Sequence, residues 1–164
     1  MIKVYVAGHT GMVGSSIVRN LKKTRNFKII KADRKRLNLL NFDKVSKFIK
    51  KNKPDIVILC AAKVGGILKN MNFPSEFYLE NIKMQNNIIQ VCHENNINNL
   101  IFLGSSCIYP KYAKQPLREE YLLDGKLEPT NEAYALAKIC GIKYCYYLNK
   151  QFGRKYFSVM PCNL

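Results

Sequence analysis

Short apolar runs alternate with amphipathic stretches along this chain. Ile2 to Ala7 is rich in β-branched residues and predicts a strand. Met12 to Leu21 carries apolar residues at Met12, Val13, Ile17, Val18 and Leu21, the spacing of one helix face. Phe27 to Ala32 predicts a second strand and Phe42 to Lys51 a short, lysine-rich helix. Pro54-Asp55 interrupts the pattern before a third strand over Ile56 to Ala61. Pro74 suits the first turn of a long helix reaching about Asn95. Asn99 to Gly104 predicts a fourth strand, and Ser106 to Thr130, with its prolines and glycines, an extended loop. A helix from about Asn131 to Phe152 and a fifth strand over Tyr156 to Met160 complete the pattern.

Strands separated by helices imply an α/β fold with right-handed crossovers, here a Rossmann-type, doubly wound parallel sheet. The expected strand order is 3-2-1-4-5, with the switch point between the first and fourth strands. Ligands of such sheets bind outside the carboxyl ends of the strands at that point. Two segments leave strands there: AGHTGMVG after the first and GSSCIYP after the fourth.

The first segment places Gly8, Gly11 and Gly14 between a strand and a helix, with Met12 and Val13 opening the helix. Such glycines permit a tight turn, a close backbone approach to a pyrophosphate, and close helix–strand packing. The helix N-terminus adds free amide donors and the positive end of its dipole. No Lys-Ser/Thr follows, which excludes a P-loop and leaves dinucleotide binding. His9 reads as a structural or ribose-side residue rather than a base. Asp33, at the end of the second strand, suits the ribose 2′-hydroxyl of NAD. Arg34 follows it, with Lys35 and Arg36, and suits the 2′-phosphate of NADP. The charge balance favours NADP over NAD.

YALAK puts Tyr134 and Lys138 at i and i+4, one above the other on the last helix. A lysine ammonium there is expected to lower the phenol's pKa. With Ser105 at the end of the fourth strand, these groups form a constellation able to protonate a ketone oxygen as a nicotinamide delivers hydride to its carbon.

Composition narrows the setting. Six cysteines show neither CxxC pairs nor metal-ligand spacing, so no metal is expected and a reducing, cytoplasmic location fits. Met1 leads directly into a strand with no signal-like segment, and no apolar stretch spans a bilayer. The formal charge of +16 would suit an anionic partner. Yet the basic residues are mostly lysines scattered over helices, as at Lys44, Lys47, Lys50 and Lys51, without interleaved aromatics. Solvated helix faces account for them, and neither nucleic acid nor membrane is an expected partner.

VAGHTGMVGSSI, LNLLN, AAKVGGI, LGSSCIYPK, KQPL, LEPTNEAYALAKI and SVMPCNL together resemble the extended short-chain dehydrogenase/reductases, and among them the GDP-L-fucose synthase family. The stretches cover nearly the whole chain. The resemblance implies an NADP-dependent enzyme that epimerises C3 and C5 of a GDP-linked 4-keto-6-deoxy sugar and then reduces C4. Ser105, Tyr134 and Lys138 match the family's reductase residues, and Cys107 an acid/base of epimerisation. Gly8, Gly11 and Gly14 match its cofactor loop, Arg34 its 2′-phosphate arginine, and Asn38 and Leu39 its adenine-side pair. Ala61, Ala62 and Pro161 are placed beside the cofactor. Lys63, Val64, Gly65, Ser106 and Asn163 are placed on the sugar side. The family also implies a homodimer through the two long helices.

Two departures stand out. Asp33 replaces a small uncharged residue. The chain also ends at MPCNL, so residues 1–164 are expected to be an NADP-binding domain truncated before the substrate domain, inactive alone. That further domain is expected to carry the histidine that partners the cysteine, a role His93 does not fill. The chemistry explains the cysteine itself. A C4 ketone acidifies the protons on C3 and C5, and inversion needs a base on one face and an acid on the other. A thiol with a pKa near 8.5 can do either near neutrality, and a simple reductase needs none. Two alternatives remain: an NAD-dependent sugar-nucleotide epimerase or dehydratase, and a catalytically silent nucleotide-binding module.

Overall fold

A computed structural model describes residues 1–161. Five strands form one parallel sheet: β1 (Ile2–Ala7), β2 (Phe27–Ile30), β3 (Ile56–Leu59), β4 (Asn99–Leu103) and β5 (Lys155–Val159). The helices are α1 (Met12–Leu21), α2 (Phe42–Asn52), α3 (Ile67–Asn72), α4 (Pro74–Glu94) and α5 (Glu132–Phe152). Of these, α3 was hidden in the stretch between the third strand and Pro74. The expected loop over 106–130 contains single 3₁₀ turns at Ser106–Ile108, Glu119–Tyr121 and Pro129–Asn131.

Period-2 alternation on β1 builds both layers. Val4 and Val6 pack with Val18 of α1, Ile58 and Leu103 on one face. Tyr5 and Ala7 turn to the other, joining Val45, Ile49, Ile88, Ile89 and Leu148 of α2, α4 and α5. All four of these β1 side chains are buried.

The strand order is 2-1-3-4-5, which corrects the expected 3-2-1-4-5. Strand β3 lies between β1 and β4, with Val4 opposite Ile56 and Ile56 opposite Asn99. The physical reason is burial. Val57, Ile58 and Leu59 are apolar toward both faces and take an interior position. No residue of β2 is fully buried, and Lys28 points to solvent, as suits an edge. Residues 34–37 then turn, closed by the Arg36 amide donating to Asp33 Oδ1 at 2.9 Å, so no strand forms outside β2. The switch point is therefore between β1 and β3, and the segments leaving β1, β3 and β4 share one rim.

The opposite rim is tied by one arginine. Arg154 Nε donates to His93 Nδ1 at 3.1 Å, and its NH2 group to the His93 carbonyl at 2.9 Å and to Asn96 Oδ1 at 3.0 Å. His93 stacks on Phe152, with ring centroids 4.5 Å apart. Burial, then the Arg154 charge, hold the imidazole below its ordinary value of 6.5. A lowered folded pKa means that the unfolded chain binds the proton first. The stabilisation is therefore complete above pH 6.5 and declines as pH falls below it. Thermal midpoints should drop as pH falls below 6.5, and His93→Gln should flatten that slope.

Candidate active site

The carboxyl ends of β1 and β3 frame a cleft of about 610 Å³. Its floor is the loop after β1. Gly8 holds φ at +85°, and a Cβ there would lie 2.6 Å from the Ala61 amide nitrogen, so only glycine closes this turn against β3. Gly14 packs the first turn of α1 onto the loop, and any Cβ would press into the Gly8 carbonyl. Gly11 differs: its φ is −73°, and an added Cβ would make only ordinary contact. No side chain caps α1 and no acid stands in its first turn. Its open amides face the cleft, a fit for a diphosphate.

The far wall comprises Ala32–Arg34 and Leu37–Leu40, and the near wall Cys60–Val64 with Glu80 and Met84 of α4. Asp33 and Arg34 stand together but behave differently. One oxygen of the exposed Asp33 carboxylate accepts from the Arg36 amide. Arg34 is exposed and makes no ion pair among the described residues. An exposed guanidinium outside any such ion pair suits a phosphate monoester. Asn38 turns its side chain back to the Leu40 amide at 3.0 Å, and the Leu39 carbonyl accepts from Asn87 of α4 at 2.8 Å. That bond ties this wall to the helix.

Beyond Cys60 lies the cluster after β4. Ser105 is half-buried and starts the 3₁₀ turn, its Oγ accepting from the Cys107 amide at 3.4 Å. Lys138 is buried and donates to the Leu103 carbonyl at 2.7 Å. Its Nζ lies 4.8 Å from the centroid of Phe102 and 5.7 Å from that of Tyr134. Burial pulls the ammonium down to about 8, against the opposing effect of Cys107 and Cys60. Burial also pushes the Cys107 thiol up, partly offset by Ser105 and Lys138. Tyr134 departs from expectation. Burial, reinforced by Cys107, raises its phenol to about 12 instead of lowering it. At neutral pH the tyrosine is a proton donor, Lys138 is largely charged and Cys107 holds its proton.

The expected cofactor residues Gly8, Gly11, Met12, Val13, Gly14, Arg34, Asn38, Leu39, Ala61 and Ala62 all border the cleft. Ser105, Cys107, Tyr134 and Lys138 meet beside it. Pro161 follows β5, whereas Asn163 lies outside the described residues. Ser106 is half-buried in the 3₁₀ turn, and Val64 and Gly65 are exposed at the mouth. Lys63 borders the cleft with its side chain engaged within the chain. Its ammonium bridges Glu76 and Glu80 at 2.7 Å each, and its backbone is gripped by buried Asn81. The partners come from α4, one helical turn apart, a spacing visible only once Lys63 is placed beside that helix. Cys60, Glu80 and Met84 were missed. Cys60 showed only as the end of an apolar run, although its thiol borders both cleft and cluster and burial raises it to about 11. Among the described residues no group of three or more His, Cys, Asp or Glu could hold a metal ion. No described helix is long and apolar enough to cross a membrane.

Comparison with known proteins matches the same frame. Residues 4–164 fit the protein-family model described as NAD dependent epimerase/dehydratase family. The GDP-L-fucose synthase of Sinorhizobium fredii (strain NBRC 101917 / NGR234) is 52% identical over 162 residues, covering 99% of this chain and 51% of that protein. The chain thus spans about half the length of the relatives it matches. Among solved structures, MlghC, a GDP-mannoheptose C4 reductase from Campylobacter jejuni with NADP bound, superposes with a TM-score of 0.94 at 39% identity. That match covers 99% of this chain and 51% of the other. A GDP-L-fucose synthetase from Naegleria fowleri bound to NADP gives 0.88 at 32% identity, over 99% and 54%.

Proposed function

This chain belongs to the NAD dependent epimerase/dehydratase family, and we propose that residues 1–164 are the NADP-binding domain of a GDP-L-fucose synthase, which converts GDP-4-keto-6-deoxy-D-mannose to GDP-L-fucose. The observation that carries this reading is Cys107 beside the Ser105, Tyr134 and Lys138 cluster, on the rim shared with the dinucleotide-shaped cleft. The similarity to GDP-L-fucose synthases supports the same assignment.

NADP fits the residues present. The glycine loop and the start of α1 would hold the diphosphate, Arg34 the 2′-phosphate, and Asn38 and Leu39 the adenine side. When bound, the reduced cofactor supplies hydride to the sugar's C4. Ser105 Oγ and the Tyr134 hydroxyl donate hydrogen bonds to the C4 carbonyl oxygen, and Tyr134 gives it a proton. Lys138, charged and anchored to Leu103, stabilises the phenolate left behind. During epimerisation the same donors stabilise the enolate oxygen that forms when a proton leaves C3 or C5. Cys107 returns a proton to that carbon from one face. Its protonated state at neutral pH suits the acid role. The base on the opposite face is neither described histidine: His9 is in the glycine loop and His93 is bound to Arg154 on the far rim.

The test on the chain itself is cofactor titration. NADPH should bind more tightly than NADH, and Arg34→Ala should weaken NADPH about 10-fold or more while leaving NADH nearly unchanged. Equal affinities for the two cofactors would favour the NAD-dependent alternative. A C4 reductase without epimerisation is a second reading, supported by the likeness to MlghC. It predicts that Cys107→Ser leaves turnover intact. For the assembly we propose a homodimer packed through α4 and α5, where Tyr78, Leu136 and Tyr147 stay exposed. The five free thiols among the described residues fit a reducing, cytoplasmic setting.

A further inference from the structure

Lys138 is a buried cation with no ion pair to a carboxylate among the described residues. The groups around it are the Leu103 carbonyl at 2.7 Å, the Phe102 ring, the Tyr134 ring, and the thiols of Cys60 at the end of β3 and Cys107 in the 3₁₀ turn. Buried ammonium groups are ordinarily paired with an anion. Here, besides the Leu103 carbonyl, the face of Phe102 substitutes for one: its centroid lies 4.8 Å from Nζ, well inside the range at which a ring quadrupole attracts a cation.

The placement of that ring is built into the helix behind it. Gly141 of α5 leaves no side chain in its way: a Cβ there would lie 2.6 Å from Phe102 Cζ and 2.8 Å from Cε1. Gln85, buried on α4, donates to the Ala137 carbonyl at 2.6 Å and so fixes α5 one residue before Lys138. β4 supplies both remaining contacts, the Phe102 ring and the carbonyl of the next residue.

We propose that Phe102 is a positioning residue that acts through Lys138: its ring face stands in for a counter-ion and seats the ammonium on the Leu103 carbonyl, leaving the remaining N–H groups for the cofactor cleft and Tyr134. Phe102 touches neither sugar nor cofactor in this role. A carboxylate in its place would lock the ammonium in an ion pair and hold its proton across the working range. A ring attracts without accepting a hydrogen bond, so Lys138 keeps its donors and still titrates near neutrality. The significance for catalysis rests on the proposed function; the electrostatic seat itself does not.

The experiment is an NMR titration of the Lys138 ε-methylene signal in selectively 13C-labelled chain, assigned with Lys138→Met. The wild-type midpoint is expected near 8. Phe102→Leu retains apolar burial but removes the ring face, and should lower the midpoint by about half a pH unit or more. A merely structural role predicts the opposite sign, because a loosened, wetter site would raise it toward the ordinary lysine value. An unchanged or raised midpoint therefore overturns the proposal. Should Phe102→Leu fail to fold, tetrafluorophenylalanine at position 102 keeps the shape and weakens the quadrupole. It should lower the midpoint in the same direction, and no shift would count against the ring. NADPH titration of the wild-type chain runs alongside. Failure to bind there would sink the proposed function and leave the Lys138 result standing.

Discussion

Gly14→Ala is expected to destabilise this chain by about 3 kcal/mol or more and to abolish NADPH binding with it. The added methyl would press into the Gly8 carbonyl and stand 2.8 Å from its carbon and 2.9 Å from His9 Cα. All are backbone atoms, so no rotamer change relieves the contact. Gly8 cannot retreat, because its own turn is set at φ +85° against Ala61. Either α1 lifts from the sheet, uncovering Val4, Val6 and Ile58, or the loop distorts and loses the amide geometry at the start of the helix. Against a typical total of about 5–15 kcal/mol, such a loss consumes much of the margin. Gly11→Ala is the control, since its Cβ meets only the Gly8 oxygen, at 3.4 Å. It should unfold in denaturant near the wild-type midpoint while binding NADPH weakly, because there the ligand, not the protein, needs the space. Equal midpoints for Gly14→Ala and wild type would refute the packing role given to Gly14.

The contrast between these glycines shows which parts of the fold were legible in advance. Alternating apolar runs and helical faces identify the parallel α/β sheet because each element must bury one pattern against its neighbours. Strand order is less visible, since it depends on which strand can lose solvent on both faces. Lys28 carried that signal for β2, and VIL at 57–59 carried it for β3. The site divides likewise. Glycine spacing, the Tyr134–Lys138 pair and Ser105 are local patterns and could be read directly. The double ion pair of Lys63 could not, because Glu76 and Glu80 arrive from another element. Nor could the direction of the Tyr134 shift. The one-turn spacing suggests an ammonium lowering a phenol's pKa, but burial, then Cys107, raises it, and Lys138 is held on Leu103.

Tyr134→Phe and Cys107→Ser should separate the two halves of the proposed chemistry, and theirs are the largest effects on turnover. Losing the phenol removes the proton donor for the C4 oxygen, and general acid catalysis is commonly worth about 10²–10⁴-fold. With this chain joined to the substrate domain of a GDP-L-fucose synthase, NADPH oxidation with the GDP-linked 4-keto sugar should fall by that order in Tyr134→Phe. Deuterium uptake from solvent at C3 and C5, followed by NMR, should fall less, because Ser105 still stabilises the enolate oxygen. Cys107→Ser should reverse the pattern. A serine hydroxyl is far less acidic than a thiol and cannot replace it as a general acid near neutrality. Inversion at C3 and C5 should therefore stop while a pre-epimerised substrate is still reduced at a rate near wild type. The pH profile adds an independent check. Tyr134, raised to about 12, stays protonated through the neutral range. Lys138, lowered to about 8, loses its charge just above it. Reduction should thus decline above about pH 8 with the midpoint of Lys138 and show no limb from Tyr134. Undiminished inversion at C3 and C5 in Cys107→Ser would remove the thiol from epimerisation and leave a C4 reductase built on the same serine, tyrosine and lysine.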